Sequence, residues 1–260
     1  MKNRKSDVSV VIASYNCEPY IEETIKSVTN QSLPVTEIII VDDCSTDGSA
    51  DKIRDIQHKF ENHINIKLIC NNTNIGAAES RNRGIEEARC RYIAFLDADD
   101  VWKKRKNEYE YNFMRNNGYA FCFTAYEYGD EFANPTGCKV RVPRDIVYKE
   151  ALSRTVIFTS TVMIDTCSMD KSLIKMPNVP SEDTATWWNI LKNGYVGHGI
   201  DKDLVIYRRT SGTLSSNKVE AIKRIWNLYT KRESLTKQEA ALYFGQWAIR
   251  ASARRLIKRK

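Results

Sequence analysis

Apolar, β-branched runs alternate with stretches of helical period along the first half of the chain. Residues 8–13 read as a buried strand. Pro19 follows where a first helical turn accepts proline, and Ile21, Ile25 and Val28 then recur on one helix face. Residues 38–41 form a second apolar run, and the segment after Asp47 carries Ile53, Ile56 and Phe60 at helical spacing. Residues 66–69 are a third strand, and 77–88 an Ala-rich helix. Residues 92–96 are a fourth strand, and 102–117 a further helix. This order, with strands apolar throughout, predicts a mainly parallel sheet covered by helices on both faces.

Beyond Tyr119 the alternation stops. Residues 120–128 and 156–164 read as strands, and Asn134-Pro135-Thr136-Gly137 as a turn. Two helices are expected at 218–232 and 236–258. The first presents Ile222, Ile225, Trp226 and Tyr229 on one face, and the second opens with a Thr236/Glu239 capping box. The pattern divides the chain into residues 1–119, a mixed half at 120–217 and a helical end at 218–260.

Charge changes this picture. The 260 residues contain 40 Lys and Arg against 33 Asp and Glu, but the surplus is local. Residues 218–260 hold twelve basic and three acidic side chains, leaving 28 basic and 30 acidic in 1–217. A near-neutral body with a basic end gives no nucleic-acid stripe, and nucleic acid is not an expected partner. No apolar run approaches the ~20 residues of a membrane helix. The apolar stretch after Met1, Lys2, Arg4 and Lys5 is too short for a signal peptide. Seven scattered cysteines without a C-x-x-C pair suit reduced thiols.

Candidate chemistry gathers at the strand ends, where open parallel sheets bind ligands. The four strands end in Ser14-Tyr15-Asn16, Asp42-Asp43, Asn71-Asn72 and Asp97-Ala98-Asp99-Asp100. Any one cluster is accounted for by turn chemistry; their convergence on one rim is not. Three carboxylates within four residues call for a cation. A hard divalent ion, Mn²⁺ or Mg²⁺, takes such oxygen ligands and bridges to a diphosphate. There is no G-x-x-x-x-G-K-[ST] loop and no G-x-G-x-x-G turn, which disfavours P-loop and dinucleotide-binding enzymes.

Ser181-Glu182-Asp183 stands ahead of an expected helix, where helix capping or a base for an incoming hydroxyl are both open readings. Trp187 and Trp188 suit either an acceptor platform or the core. Tyr207-Arg208-Arg209 suits either a diphosphate contact or a solvated strand end. Of the three histidines, His58 and His63 read as surface residues, and His198 alone is a candidate metal ligand. Arg250, Arg254 and Lys258 fall at i, i+4 and i+8 beside Trp247, Ala251 and Leu256, with Arg255, Arg259 and Lys260 adding charge. This pattern fits either docking on an anionic membrane or a soluble basic helix.

Taken together, these residues resemble the family-2 glycosyltransferases of GT-A fold. The likeness runs through residues 8–12 to Tyr15-Asn16, Asp42-Asp43-Cys44-Ser45-Thr46-Asp47-Gly48, Asn74-Ile75-Gly76 with Arg81-Asn82 and Gly84, and residues 95–102. It continues through residues 160–165, Glu182-Asp183 with Trp187, Tyr207-Arg208 and Ser215-Ser216-Asn217-Lys218. The later motifs resemble bacterial enzymes that build teichuronic acid, O-antigen and lipopolysaccharide core.

The resemblance implies a UDP-sugar donor, with Tyr15 against the uracil, Asp43 on its edge, Asp42 in support and Arg81 near the nucleotide. It implies Asp99 as the principal metal carboxylate, Asp97 on ribose or the metal shell, and Asp100 as an alternative ligand. Asp183 is then the catalytic base and Glu182 shapes the acceptor pocket. Lys103-Lys104 departs from relatives that carry proline there, which puts the start of the next helix in question. The implied activity is inverting transfer of a hexose to a hydroxyl of a lipid-linked or core glycan, at the cytoplasmic face of the inner membrane. The rivals are a metal-dependent nuclease or nucleotidyltransferase, and a non-catalytic nucleotide-sugar-binding protein.

Overall fold

A computed structural model describes residues 5–209 and 218–256. Ser215-Ser216-Asn217, Met1, Lys2, Arg4, Lys258, Arg259 and Lys260 lie outside the described residues. In chain order the elements of the first half are β1 (Val8–Ser14), α1 (Ile21–Thr29), β2 (Glu37–Asp42), α2 (Ser49–Phe60), β3 (Asn65–Cys70), α3 (Ala77–Glu87) and β4 (Tyr92–Asp97). There follow β5 (Val101–Trp102), α4 (Lys106–Asn117), β6 (Phe121–Gly129), β7 (Pro135–Val140), β8 (Asp145–Ile146) and α5 (Tyr148–Leu152). The chain ends with β9 (Val162–Asp165), α6 (Lys171–Ile174), α7 (Glu182–Lys192), β10 (Gly197–Arg208), α8 (Lys218–Asn227) and α9 (Lys237–Leu256).

The strands form one sheet in the order β3-β2-β1-β4-β9-β6-β10-β5, with β7 paired to β6 and β8 to β10. Strands β3, β2, β1 and β4 are mutually parallel, as their unbroken apolar runs require. β9 runs antiparallel between β4 and β6, and β10 is parallel to β6. The carboxyl ends of β1, β2, β3, β4, β6 and β10 therefore reach one rim.

Two apolar layers cover the sheet. One holds Ile21, Ile25 and Val28 of α1 with Ile53 and Ile56 of α2. The other packs α3 and α7 against Phe95, Phe121 and Phe123. Gly84 lets α3 approach β1: a Cβ there would lie 2.5 Å from Val11 Cγ1.

Four sequence expectations are corrected. Pro135-Thr136-Gly137 are not a turn but open β7, because Pro135 pairs with Gly129 of β6; the turn lies at 130–134, closed by Asp130 N to Asn134 O at 3.0 Å. Trp102 is not helical; Val101–Trp102 pairs with Ile206 and Val205, the indole N–H donates to Ser160 O, and the helix starts at Lys106. The 156–164 run is strand only from Val162, because Thr159–Thr161 form a 3₁₀ turn whose hydroxyls bond sideways. The 218–232 helix ends at Asn227 and passes into a π turn over Leu228–Arg232. Its buried face is Ile225, Leu228 and Tyr229, while Ile222 and Trp226 are exposed. The Thr236/Glu239 capping box is present, with Thr236 N to Glu239 Oε2 at 2.9 Å and Glu239 N to Thr236 Oγ1 at 3.3 Å. All seven cysteines are free thiols.

Candidate active site

The rim is assembled from loops that satisfy one another. After β1, Asn16 adopts a left-handed backbone, and its Oδ1 accepts the N–H of Thr46 at 2.8 Å. Asp42, at the end of β2, accepts the N–H and hydroxyl of Ser45. Asp43 accepts from Asn71 Nδ2 (2.7 Å), Ile75 N (2.9 Å) and Gly76 N (2.8 Å). Burial alone would raise its pKa, but these donors outweigh burial and hold the carboxyl below its ordinary range. Asp43 thus clasps the loop after β3 to the loop after β2, and the Ser80 hydroxyl is a further hydrogen-bond partner of its carboxylate. Tyr15 stands half exposed at the same edge.

Arg81 joins the two halves of the rim. It projects from α3, with Nη2 2.8 Å from Asp97 Oδ1 and Nη1 2.6 Å from Glu182 Oε1. Burial would weaken its hold on the proton, but the charges of Asp97 and Glu182 outweigh that and keep the guanidinium cationic. The neighbouring Asn82 makes a reciprocal pair with the backbone of Met176, holding α3 to the segment before α7. Arg81 is a brace here rather than a free cation.

Beyond Asp97 the turn divides its carboxylates. Asp100 is wholly buried; it accepts from Ser160 Oγ at 2.6 Å and from Arg208 N at 3.0 Å. Burial, then the charges of Asp99 and Asp97, push its pKa well up. Among the described residues the Asp99 carboxylate takes only its own backbone N–H, and burial together with the Asp97 charge pushes it up to about 6. A half-buried, all-oxygen, mutually repelling set fits a hard divalent cation, which would relieve that repulsion. Among the described residues no three acidic, thiol or imidazole groups close into a complete metal cage.

Glu182 and Asp183 open α7, and Ser181 before them is left-handed. Thr159 Oγ1 donates to Asp183 Oδ2 at 3.2 Å, and Thr184 N donates to Oδ1. Burial and then the Glu182 charge raise the Asp183 pKa. No side chain caps the helix at Ser181; Asp183 is an acidic first-turn residue on which the charges of Arg81 and Asp97 also act.

Other candidates lie elsewhere. Trp187 packs among Phe95 and Phe121, and Trp188 stacks on Tyr229 at 5.3 Å; both are core residues. His198 pairs with Asp145 at 2.6 Å and stacks on Tyr119 at the start of β10, the end opposite Arg208. Of the two open readings for Arg208, a solvated strand end is corrected, since the residue is buried, and its guanidinium is engaged by Asp99 O, Glu131 O and Glu23 within the protein. Sequence reading alone missed Thr24, Thr159 and Glu23. The one available signal was a Thr159-Ser160-Thr161 hydroxyl run inside an apolar stretch.

The sheet order, the rim and the paired acid turns define a nucleotide-diphospho-sugar transferase of GT-A fold. The glycosyl transferase family 2 model matches residues 9–175, and the chain belongs to that family. It is 40% identical over 98% of its length, and 100% of the relative, to a Bacillus subtilis (strain 168) protein carrying the name teichuronic acid biosynthesis glycosyltransferase TuaG. It is 35% identical, over 85% of this chain and 84% of the relative, to WfaP of Escherichia coli. That protein is named a UDP-Glc:alpha-D-GlcNAc-diphosphoundecaprenol beta-1,3-glucosyltransferase. The mannosyltransferase PcManGT of Pyrobaculum calidifontis, solved with GDP-Man and Mn²⁺, shares the fold at 17% identity and TM-score 0.70. That match covers 93% of this chain and 69% of the neighbour. The chain is thus an enzyme, a glycosyltransferase, and the nuclease and non-catalytic alternatives fall away.

Proposed function

We propose that this protein transfers a hexose from a UDP-sugar to a hydroxyl of a lipid-linked glycan, with inversion, in surface polysaccharide synthesis. The observation that carries the reading is Arg81 bonded at once to Asp97 of the acid turn and to Glu182 beside Asp183. That shared guanidinium supports the reading, because it ties the acid turn to the residue next to Asp183. The names of the two relatives support the UDP donor, the diphospholipid acceptor and the polysaccharide setting.

In this reading Tyr15 flanks the uracil, Asp42 keeps its own loop in place through Ser45, and Asp43 borders the base edge. Asp99, with Asp97, holds Mn²⁺ or Mg²⁺; when bound, the ion neutralises charge developing on the departing diphosphate. Asp100 shapes this turn from beneath. Asp183 takes the proton of the acceptor hydroxyl, whose oxygen attacks the anomeric carbon from the side opposite UDP, while Glu182 borders the acceptor. An α-linked donor then yields a β-glycoside.

Incubation with UDP-glucose, UDP-galactose and their N-acetyl forms, with Mn²⁺ or Mg²⁺ and a diphospholipid-linked sugar, is expected to release UDP. Proton NMR of the product is expected to show a β linkage. An α linkage would overturn the inverting mechanism, and absence of UDP release with every donor would overturn the donor class.

The basic C-terminal end supplies the proposed membrane contact, at the cytoplasmic face. Trp247 donates to Thr155 Oγ1, and Arg250, though exposed, is tied to Ser153, so both have partners within the protein. The outward side chains are Ile222, Trp226, Leu242 and Ile249, accompanied by exposed Lys223, Lys231, Arg232 and Lys237. Among the described residues no helix is long and apolar enough to span a membrane. Pelleting with anionic vesicles is expected for the wild type at low salt, and to drop several-fold in Ile222→Ser/Leu242→Ser/Ile249→Ser. Equal pelleting by the triple variant would remove this face from the contact.

A further inference from the structure

Arg208 closes β10 and is 3% exposed. Its Nη1 donates to Glu131 O at 2.7 Å, in the turn after β6, and Nη2 to Glu23 Oε2 of α1 at 2.6 Å. The guanidinium centre lies 4.8 Å from the Tyr20 ring. The remaining contacts face the acid turn: Nε donates to Asp99 O at 2.6 Å, and the backbone N–H donates to Asp100 Oδ1 at 3.0 Å.

The turn has a partner for every carbonyl. Asp97 O accepts from Asp100 N, and Thr24 Oγ1 lies 2.9 Å from both Ala98 O and Asp100 O, its one proton shared between them. Asp99 O accepts from Arg208 Nε. The Asp97 N–H is tied to Ser160 Oγ, which also donates to Asp100. In contrast, among the described residues no other residue's donor reaches the Asp99 carboxylate. Its direction is therefore set by its backbone, and the side chain that fixes the Asp99 carbonyl is Arg208. A planar fork held at three nitrogens by three separate segments has one orientation; an ammonium on a flexible stem has many.

We infer that Arg208 is a positioning residue for the metal carboxylate: it aims Asp99 by gripping the Asp99 carbonyl and meets neither donor nor acceptor. The inference rests on the reading of Asp99 as the metal carboxylate. It assigns β10, from the mixed half at 120–217, a direct part in building the turn after β4. Groups that orient metal ligands typically change metal affinity by about 10- to 100-fold when replaced.

The test is a Mn²⁺ titration followed by the EPR signal of the free ion at fixed UDP, with UDP affinity without metal and thermal melting measured alongside. Arg208→Lys keeps the charge and loses the fork; it is expected to weaken Mn²⁺ binding about tenfold or more, with metal-free UDP affinity unchanged. Glu23→Gln loosens the guanidinium from a half-exposed partner without opening the core, and a loss of roughly 2- to 5-fold, smaller than that on replacing the ligand's own support, is expected. Wild-type Mn²⁺ affinity in Arg208→Lys overturns the inference; should that variant fail to fold, wild-type affinity in Glu23→Gln overturns it. Asp99→Asn is the reference: it is expected to abolish Mn²⁺ binding. Retained binding there would defeat the metal reading itself, independently of Arg208.

Discussion

Asp183→Asn is expected to lower sugar transfer by about 10²- to 10⁴-fold, the range that general-base removal commonly costs, while UDP binds as it does to the wild type. The substitution is nearly isosteric. Thr184 N keeps an oxygen acceptor at Oδ1, and the amide in place of Oδ2 is able to donate to the Thr159 hydroxyl, so the turn need not move. The lost function is proton uptake alone. Burial and the adjacent Glu182 give Asp183 a raised proton affinity. Wild-type activity should accordingly fall with decreasing pH at a value above the ordinary ~3.9 of aspartate. Rates from UDP release and affinities from calorimetry check this pair of outcomes. Turnover within tenfold of wild type would remove Asp183 from the chemistry.

Arg81→Met is expected to destabilise the fold by roughly 3–5 kcal/mol, the cost of leaving a buried charge without its partner, and to abolish transfer. Three carboxylates, Asp97, Glu182 and Asp183, face the space its charge neutralises. Arg81→Lys should retain the fold but lose rate, because one ammonium cannot serve both Asp97 and Glu182 in the fork geometry now present. Adding Glu182→Gln to Arg81→Met should recover part of the melting temperature, since it deletes one of the stranded charges. A melting curve for Arg81→Met superimposable on wild type would show that the brace carries no energy.

The first half of the fold was legible because each strand is buried on both faces and each helix has one apolar stripe. Ile21, Ile25 and Val28 or Ile53 and Ile56 admit one arrangement only. The rim was legible for the same reason, as strand ends have fixed places in a parallel sheet. The second half was less so. Trp102 carries a helix-compatible pattern locally, but Val205 and Ser160, far along the chain, capture it into a strand. His198 and Arg208 sit on one strand, and nothing local tells which of its ends meets the rim; pairing with β6 decides that. The division of labour among Asp97, Asp99 and Asp100 was likewise hidden, because it depends on Ser160, Thr24 and Arg208 arriving from three separate segments.

The antiparallel strand β9 also bears on how the chain is made. During synthesis β1, β2, β3 and β4 emerge well before β9, so the outer edge of β4 has its permanent neighbour only once residues 162–165 appear. Until then Ile93 and Ala94 present an apolar edge with unpaired backbone groups, the kind of surface that recruits other chains. Slowing translation, or halting it before β9, should therefore favour chaperone capture of the nascent protein over an isolated, self-sufficient N-terminal half.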